Sequence, residues 1–359
     1  MATSPWRPEP ASGEMNTMRG GPNTVPTPGT QLEWRLDPPY TAKHLLIAFG
    51  LLLLLLWIGH RIEMDRMVSM SVQAVGKLVG LTDDSQVVRG LSRVGSSMWP
   101  PAIGEQEDVA RLPELDRERL PPFAYIEVQE RKEQRLNPQT LQMEVSIERV
   151  ETLVKPIGYL WTVTVKMIQT LEIALWGTIL SVLLSAPLAY FAARNYAPNR
   201  ATYTISRGTI SLLRSTPELI LALFLVLAYG FGPIAGVLAL GLHSAGFLGK
   251  FYAEDIENAD RKPQEALEAI GAGKLKTLWY AVMPQVMPQY IAYTLYILDR
   301  NVRMATVIGL VGAGGIGQEL KGRFDLFQYD RVATILIAIF VVVFLLDQIS
   351  ARLRARLIG

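Results

Sequence analysis

Half of the 359 residues are apolar, only 19% are charged and the mean hydropathy is +0.22, and together with a 31-residue run without a charge (Leu219–Gly249) these argue against a soluble globular protein. Thirty-five Lys and Arg against 33 Asp and Glu give no concentrated basic face, so no nucleic-acid partner is expected. The absence of cysteine excludes disulfides, thiol nucleophiles and iron–sulfur clusters, and three scattered histidines (His44, His60, His243) make no metal site.

In chain order, residues 1–39 are rich in Pro, Gly, Ser and Thr and predict a disordered cytoplasmic tail. Residues 40–60 predict a membrane anchor. The long preceding tail and the lack of a small-x-small site after Leu56 argue against a cleaved signal peptide. Residues 61–166 hold 14 Lys/Arg and 16 Asp/Glu and predict an extracytoplasmic region. Within it, Glu127–Arg149 reads as a helix with charged faces, and Leu153–Lys166 as an interfacial stretch. Residues 167–350 predict a membrane core. A second span is expected over Ile173–Ala193, and a third from about Ser206, carrying Arg214 and Glu218 in its first half, with a half-helix start near Pro217. Residues 229–233, Tyr-Gly-Phe-Gly-Pro, break a 31-residue uncharged run, Leu219–Gly249, and set a fourth span over Pro233–Ala253. A polar segment, 254–285, precedes a fifth span over Val286–Ile308. A glycine-rich stretch leads to a sixth, Val332–Leu346, and a short tail, 351–359. Arg194, Arg200 and Arg207, the Lys-rich 261–276 segment and the C-terminal arginines then share one side, which places both termini in the cytoplasm.

The polar segment contains Glu265-Ala266-Leu267, a stop at Gly271, and Ala281-Val282-Met283-Pro284 before span five. An amphipathic helix stopped by glycine, followed by a second helix ending at Pro284, is an elbow that a soluble partner can grip. This segment resembles the EAA coupling motif of ABC-importer permeases. Glu265, Ala266, Gly271 and Pro284 match at the family spacing, with apolar-for-apolar departures at Leu267, Ala281 and Met283. Leu213–Leu219, Leu240–Gly246 and Asn301–Leu320 resemble the phosphonate-importer permeases, so the likeness covers about residues 168–350. It implies an all-α, polytopic membrane protein of about six transmembrane helices with a type I importer fold. The implied partners are two ATP-binding subunits, a second copy of the chain, an extracytoplasmic phosphonate-binding protein and membrane lipid. No cofactor is expected in this chain; ATP and Mg belong to the partner ATPase, and no enzymatic step occurs here. Phosphite, phosphate or another small oxyanion is the alternative cargo. An ion-coupled secondary transporter and a membrane-anchored scaffold are the other classes.

Asp299, Arg300 and Arg303 lie within one sector of span five. Each charge costs roughly 2.5–3.5 kcal/mol at mid-membrane depth, more than any apolar neighbour recovers at ~0.3–0.6 kcal/mol. That face must therefore meet protein or a water-filled path. Two readings stand: an Asp299–Arg303 pair at i,i+4, or Arg303, helped by Asn301 and Arg300, receiving an oxyanion in transit. Arg214 and Glu218 pose the same choice between a helix pair and a pathway, with Ser215 beside them. His243 and Ser244 are either packed donors or pathway liners. Gly312, Gly314 and Gly317 satisfy a dinucleotide fingerprint, but only 42 residues follow and no βαβ unit fits. With Gly315, they are better explained by close helix packing and an irregular gate.

Overall fold

The computed structural model describes residues 42–358 apart from 83, 113–116, 118–119 and 137–142. The expected tail over 1–39 falls outside them. The chain divides between Val75 and Gly76 into two units. The first contains α1 (Ala42–Arg61) and most of α2 (Met64–Leu78). Leucines 51–56 of α1 all face outward, as an apolar helix built for lipid requires.

The second unit opens with α3 (Gln86–Met98), which Ser85 caps through its hydroxyl to the Val88 N–H. A three-stranded antiparallel sheet of order β1-β3-β2 follows: β1 (Glu105–Asp108), β2 (Tyr125–Leu136) and β3 (Met143–Lys155). This overturns the helix expected over Glu127–Arg149. The register pairs Tyr125 with Val154, Glu130 with Arg149 and Leu136 with Met143. The β-branched residues Val145, Ile147, Val150 and Thr152 recur among charges at near-alternate positions, a pattern that favours strands. Lys155 at the end of β3 pairs with Glu107 at 2.8 Å.

Beyond the sheet, α4 (Gly158–Ala192) runs 35 residues, about 52 Å, and begins 15 residues before the expected second span. The expected interfacial stretch is thus divided between β3 and α4. α5 (Arg200–Ser215) and α6 (Glu218–Tyr229) follow, then α7 (Pro233–Asn258), α8 (Arg261–Ala269), α9 (Lys274–Thr277), α10 (Met283–Gly309), α11 (Gly315–Asp325) and α12 (Tyr329–Ile358). The third span is not continuous: α5 and α6 meet at 91°. Thr216 precedes Pro217 and is extended (φ −80°, ψ 119°), since the proline ring disfavours α geometry at the residue before it. α10 stays helical to Gly309, and α12 continues to Ile358 where a tail was expected.

Among the described residues, four helices are long and apolar enough to cross a membrane, or five if the bent pair counts as one span. α10 has the length, about 40 Å, but its charged residues set it apart.

α4, α7 and α10 form the centre. Gly177 meets the Leu240 side chain and Gly241 meets Leu180; a Cβ on either glycine would come within 2.9 Å of these neighbours. Such small-residue seams let helices approach closely where lipid supplies no hydrophobic drive. Tyr252 and Tyr290 stack at 3.9 Å, and the Tyr290 hydroxyl donates to the Tyr252 carbonyl at 2.8 Å. At the far end of α10 the glycines do the packing. Gly309 lies against the Gly314 carbonyl, and Gly317 against the Thr306 carbonyl. The Gly232 N–H donates to the Gly312 carbonyl and the Ile316 N–H to the Thr170 hydroxyl. Gly312 adopts φ +97° with Phe231 pressed on it, leaving no room for a side chain.

Candidate functional site

Two constellations stand out: an exposed elbow and a polar cluster inside the helix bundle.

The elbow begins at Asp260, whose carboxylate caps α8 through the Lys262 N–H. Gly271 ends the turn after α8 in a left-handed conformation (φ +86°) that glycine adopts without cost, and the Gly271 and Ala272 N–H groups close on the Glu268 and Leu267 carbonyls. Pro284 does not end the second helix. α9, a π-type turn over Leu278–Val282 and α10 follow without a gap, and Pro284 occupies the first turn of α10, where its missing N–H is harmless. Glu265, Ala266, Gly271 and Pro284 are all solvent-exposed. So are the large apolar side chains of Ile270 (80%), Leu275, Trp279 and Tyr280 (76%) on the same segment. Apolar exposure of this kind marks a surface that meets a partner.

Polar residues that the motif does not include fasten the elbow to the bundle. Buried Gln264 accepts from the Tyr196 hydroxyl at 3.0 Å and donates to the Ala259 and Asp260 carbonyls. Burial pushes the Tyr196 hydroxyl above its usual pKa, and Glu268 adds to the rise, so it stays a donor. Gln285 accepts from the Asp260 N–H, and Lys274 donates to the Asn195 carbonyl.

The polar cluster forms at the α5–α6 break. Glu218, the first residue of α6, receives Arg300 of α10 at 2.9 Å on one carboxylate oxygen and lies 3.0 Å from His243 Nε2 of α7 on the other. His243 is 5% exposed, and its Nδ1 sits 2.9 Å from the Thr216 carbonyl. Because that carbonyl only accepts, Nδ1 carries a proton. Arg300 also lies 3.0 Å from His243 Nε2 and 4.9 Å above the Phe247 ring. Arg214, at the end of α5, approaches the same ring at 5.5 Å. Among the described residues no carboxylate lies within 4.0 Å of Arg214. The expected Arg214–Glu218 pair therefore does not form: the break turns the two residues onto different helices, and Glu218 serves Arg300. Ser215 is exposed and bonds its own helix at the Leu212 carbonyl.

Ser244 and Asn301 are buried and bond to one another inside the bundle. Asn301, 1% exposed, accepts from the Ser244 hydroxyl at 2.9 Å and donates to Thr178 of α4 at 2.9 Å. This triad ties α4, α7 and α10 together. Arg303 is held by Asp299 at 2.7 Å and by Asp347 of α12 at 3.0 Å. The i,i+4 pair is formed, and with two carboxylates on one guanidinium Arg303 offers no uncompensated charge to an anion. Arg300 and Arg303, one sector in sequence, thus belong to two separate ion clusters. Phe247 and Asp347 were missed. Asp347 was detectable as an acid one residue past the apolar run that ended at Leu346. Gly312, Gly314, Gly315 and Gly317 all lie in the tight α10–α11 turn region. Among the described residues no three His, Asp or Glu side chains are placed to hold a metal ion.

Residues 185–359 match the model of the binding-protein-dependent transport system inner membrane component. HtxE of Stutzerimonas stutzeri, provisionally named a phosphite transport system permease protein, is 70% identical over 261 residues, which is 73% of this chain and all of HtxE. This chain belongs to that permease family. The phosphite transport system permease protein PtxC of the same organism is 47% identical over 52% of this chain and 68% of its own length. The phosphate-import permease protein PhnE of Mycolicibacterium smegmatis is 43% identical over 53% of this chain and 36% of its own. Among solved structures, an inward-facing MetNI methionine ABC transporter aligns with 55% of this chain and 97% of its own at 19% identity and a TM-score of 0.48. The expected family and helical permease class hold, and the chain is an inner-membrane component of a transport system.

Proposed function

We propose that this permease carries a phosphorus oxyanion, phosphite or a phosphonate, inward as one of two copies in an importer, with both termini in the cytoplasm. Arg214 is the observation that carries the reading: a guanidinium with no carboxylate within 4.0 Å among the described residues, against the same Phe247 ring as Arg300, at the break between half-helices. Glu218 cancels Arg300, so Arg214 leaves the cluster with a net positive charge. A guanidinium fork suits the paired oxygens of such an anion, and a broken helix is a recurring place for one. Phosphite systems among the relatives support the cargo class.

An ATPase on each copy grips Glu265–Pro284, with Ile270, Leu275, Trp279 and Tyr280 supplying apolar contact. ATP and Mg are bound by that subunit. The external binding protein docks at the opposite end, where the Gly312–Gly317 turn against Phe231 forms the gate and the 61–166 region adds surface. Arg303 with Asp299 and Asp347 is the structural pair of α10 and α12.

The test is uptake of labelled phosphite into proteoliposomes holding the permease, its ATPase and its binding protein, with phosphate and methylphosphonate as competitors. Arg214→Gln is expected to cut uptake about tenfold or more, one lost charged contact being worth ~1.5–3 kcal/mol, while the complex still assembles. Unchanged uptake would sink the pathway assignment. Competition by phosphate alone would move the cargo to phosphate.

A further inference from the structure

The corner between α1 and α2 presents a surface that the transport reading does not use. α1 is apolar, long enough to cross a membrane and without a buried face. Its last turn carries Trp57, 59% exposed, with the Arg61 guanidinium 5.7 Å from the ring centroid. An aromatic and a basic residue at the end of an apolar span settle at the level of the lipid headgroups. Past Arg61, the Glu63 N–H donates to the His60 carbonyl at 3.1 Å, and Glu63 takes a left-handed conformation (φ +56°). A non-glycine residue in that region ends a helix rather than carrying it on. The Glu63 carbonyl then accepts from the Met67 N–H at 3.0 Å and opens α2, which does not prolong α1. The three residue steps from Arg61 to Met64 reach at most about 11 Å, so α2 starts at the membrane surface.

Residues 64–75 of α2, which share a unit with α1, have two unlike sides. At ~100° per residue, Met64, Met67, Val68, Val72 and Val75 fall within about 140° of arc. Each is 45–65% exposed, and no residue of α2 is buried. Asp65, Arg66, Ser69 and Gln73 take the other side. Ser71, the polar residue inside the apolar arc, turns its hydroxyl back to the Met67 carbonyl at 2.8 Å and so leaves no unmet donor there. Water gives about three turns of Met and Val on one side no partner. A helix lying along a lipid surface sinks such a side ~5–10 Å into the boundary between headgroups and acyl chains and keeps its polar side wet. The headgroup-level anchor one turn before α2 puts that lipid within reach of the arc.

We propose that α2 is an in-plane membrane helix, with Met64, Met67, Val68, Val72 and Val75 seated in the lipid surface where α1 emerges. The corner at Glu63 then sets the depth of α1, because α1 cannot slide along its own axis without drawing the arc out of lipid. This holds whichever cargo the permease carries.

The chain has no cysteine, so a single introduced one takes a nitroxide label without ambiguity. The full-length chain, with whatever subunits co-purify, is labelled in the variants Val68→Cys, Val75→Cys, Ser69→Cys and Gln73→Cys. Each is reconstituted in vesicles of phosphatidylcholine and phosphatidylglycerol. Collision of the label with oxygen, which concentrates in the bilayer, is compared with collision with a water-soluble nickel chelate. Oxygen is expected to exceed nickel at positions 68 and 75, and the order is expected to invert at 69 and 73. Inversion between the neighbours 68 and 69 also reports that the labelled helix is folded. Nickel collision as high at 68 and 75 as at 69 and 73 would overturn the proposal. So would shielding of 68 and 75 from both probes, which would assign the arc to a second copy or another subunit.

Discussion

Arg300 and Glu218 stand 82 residues apart in the chain and close an ion pair of 2.9 Å between α10 and the first residue of α6, just after the α5–α6 break. The pair fixes where α6 starts relative to α10, and it decides which arginine of the cluster remains uncompensated. Both side chains are largely buried, so removing one partner strands the other charge away from water. Glu218→Gln is expected to destabilise the protein by roughly 3–5 kcal/mol, with Glu218→Gln plus Arg300→Gln recovering part of the loss. Thermal unfolding of the single and double variants checks this; additive losses would mean that the pair is not coupled.

Asn301 has every polar atom of its amide engaged or enclosed among Ser244 and Thr178. Asn301→Leu leaves the Ser244 hydroxyl without its acceptor, while Thr178 keeps its bond to the Ala174 carbonyl, and is expected to cost about 1–2 kcal/mol, tempered because interhelical hydrogen bonds in membranes average ~0.6 kcal/mol. Adding Ser244→Ala and Thr178→Val should return most of that cost. A triple variant no better than the single one would point to packing rather than hydrogen bonding.

Arg303 bridges the carboxylates of Asp299 and Asp347, so Arg303→Ala is expected to impair accumulation of folded permease, not only uptake. Pairing it with Asp347→Asn should raise the yield. Quantifying folded protein by size-exclusion chromatography distinguishes this from a pathway role, in which yield stays normal and only uptake falls.

At Gly271 a side chain would meet open space, with no heavy atom within 4 Å of where its Cβ would sit, so a substitution there acts through the backbone alone. With φ at +86°, Gly271→Ala is expected to cost about 1–2 kcal/mol locally, and Gly271→Asn less, because asparagine tolerates the left-handed region. If the elbow transmits the ATPase stroke, uptake per ATP should fall in the order Gly, Asn, Ala. Identical coupling ratios for all three would remove the elbow from the mechanism.

The elbow was readable in sequence because its signals are local: a glycine stop, a proline in a first turn and a fixed spacing. The ion pairing inside the bundle was not, because Arg300 finds Glu218 through tertiary approach of α10 to α6, and Asp347 reaches Arg303 from another helix. The α5–α6 bend had a local cue in Thr216-Pro217, which marks a half-helix start, but a proline alone does not give its angle of 91°. Glu127–Arg149 misled for a different reason. Its dense Glu, Arg and Lys are strong helix formers, whereas pairing along the whole β2–β3 ladder is a non-local gain that outweighs that propensity.

The seam of Gly177, Gly241 and their leucine partners leaves α4 and α7 no slack to slide past one another. These two helices therefore behave as a single stiff beam, and the breaks in helical continuity lie outside it, at Thr216–Pro217 within the bent pair and at Gly271 between α8 and α9.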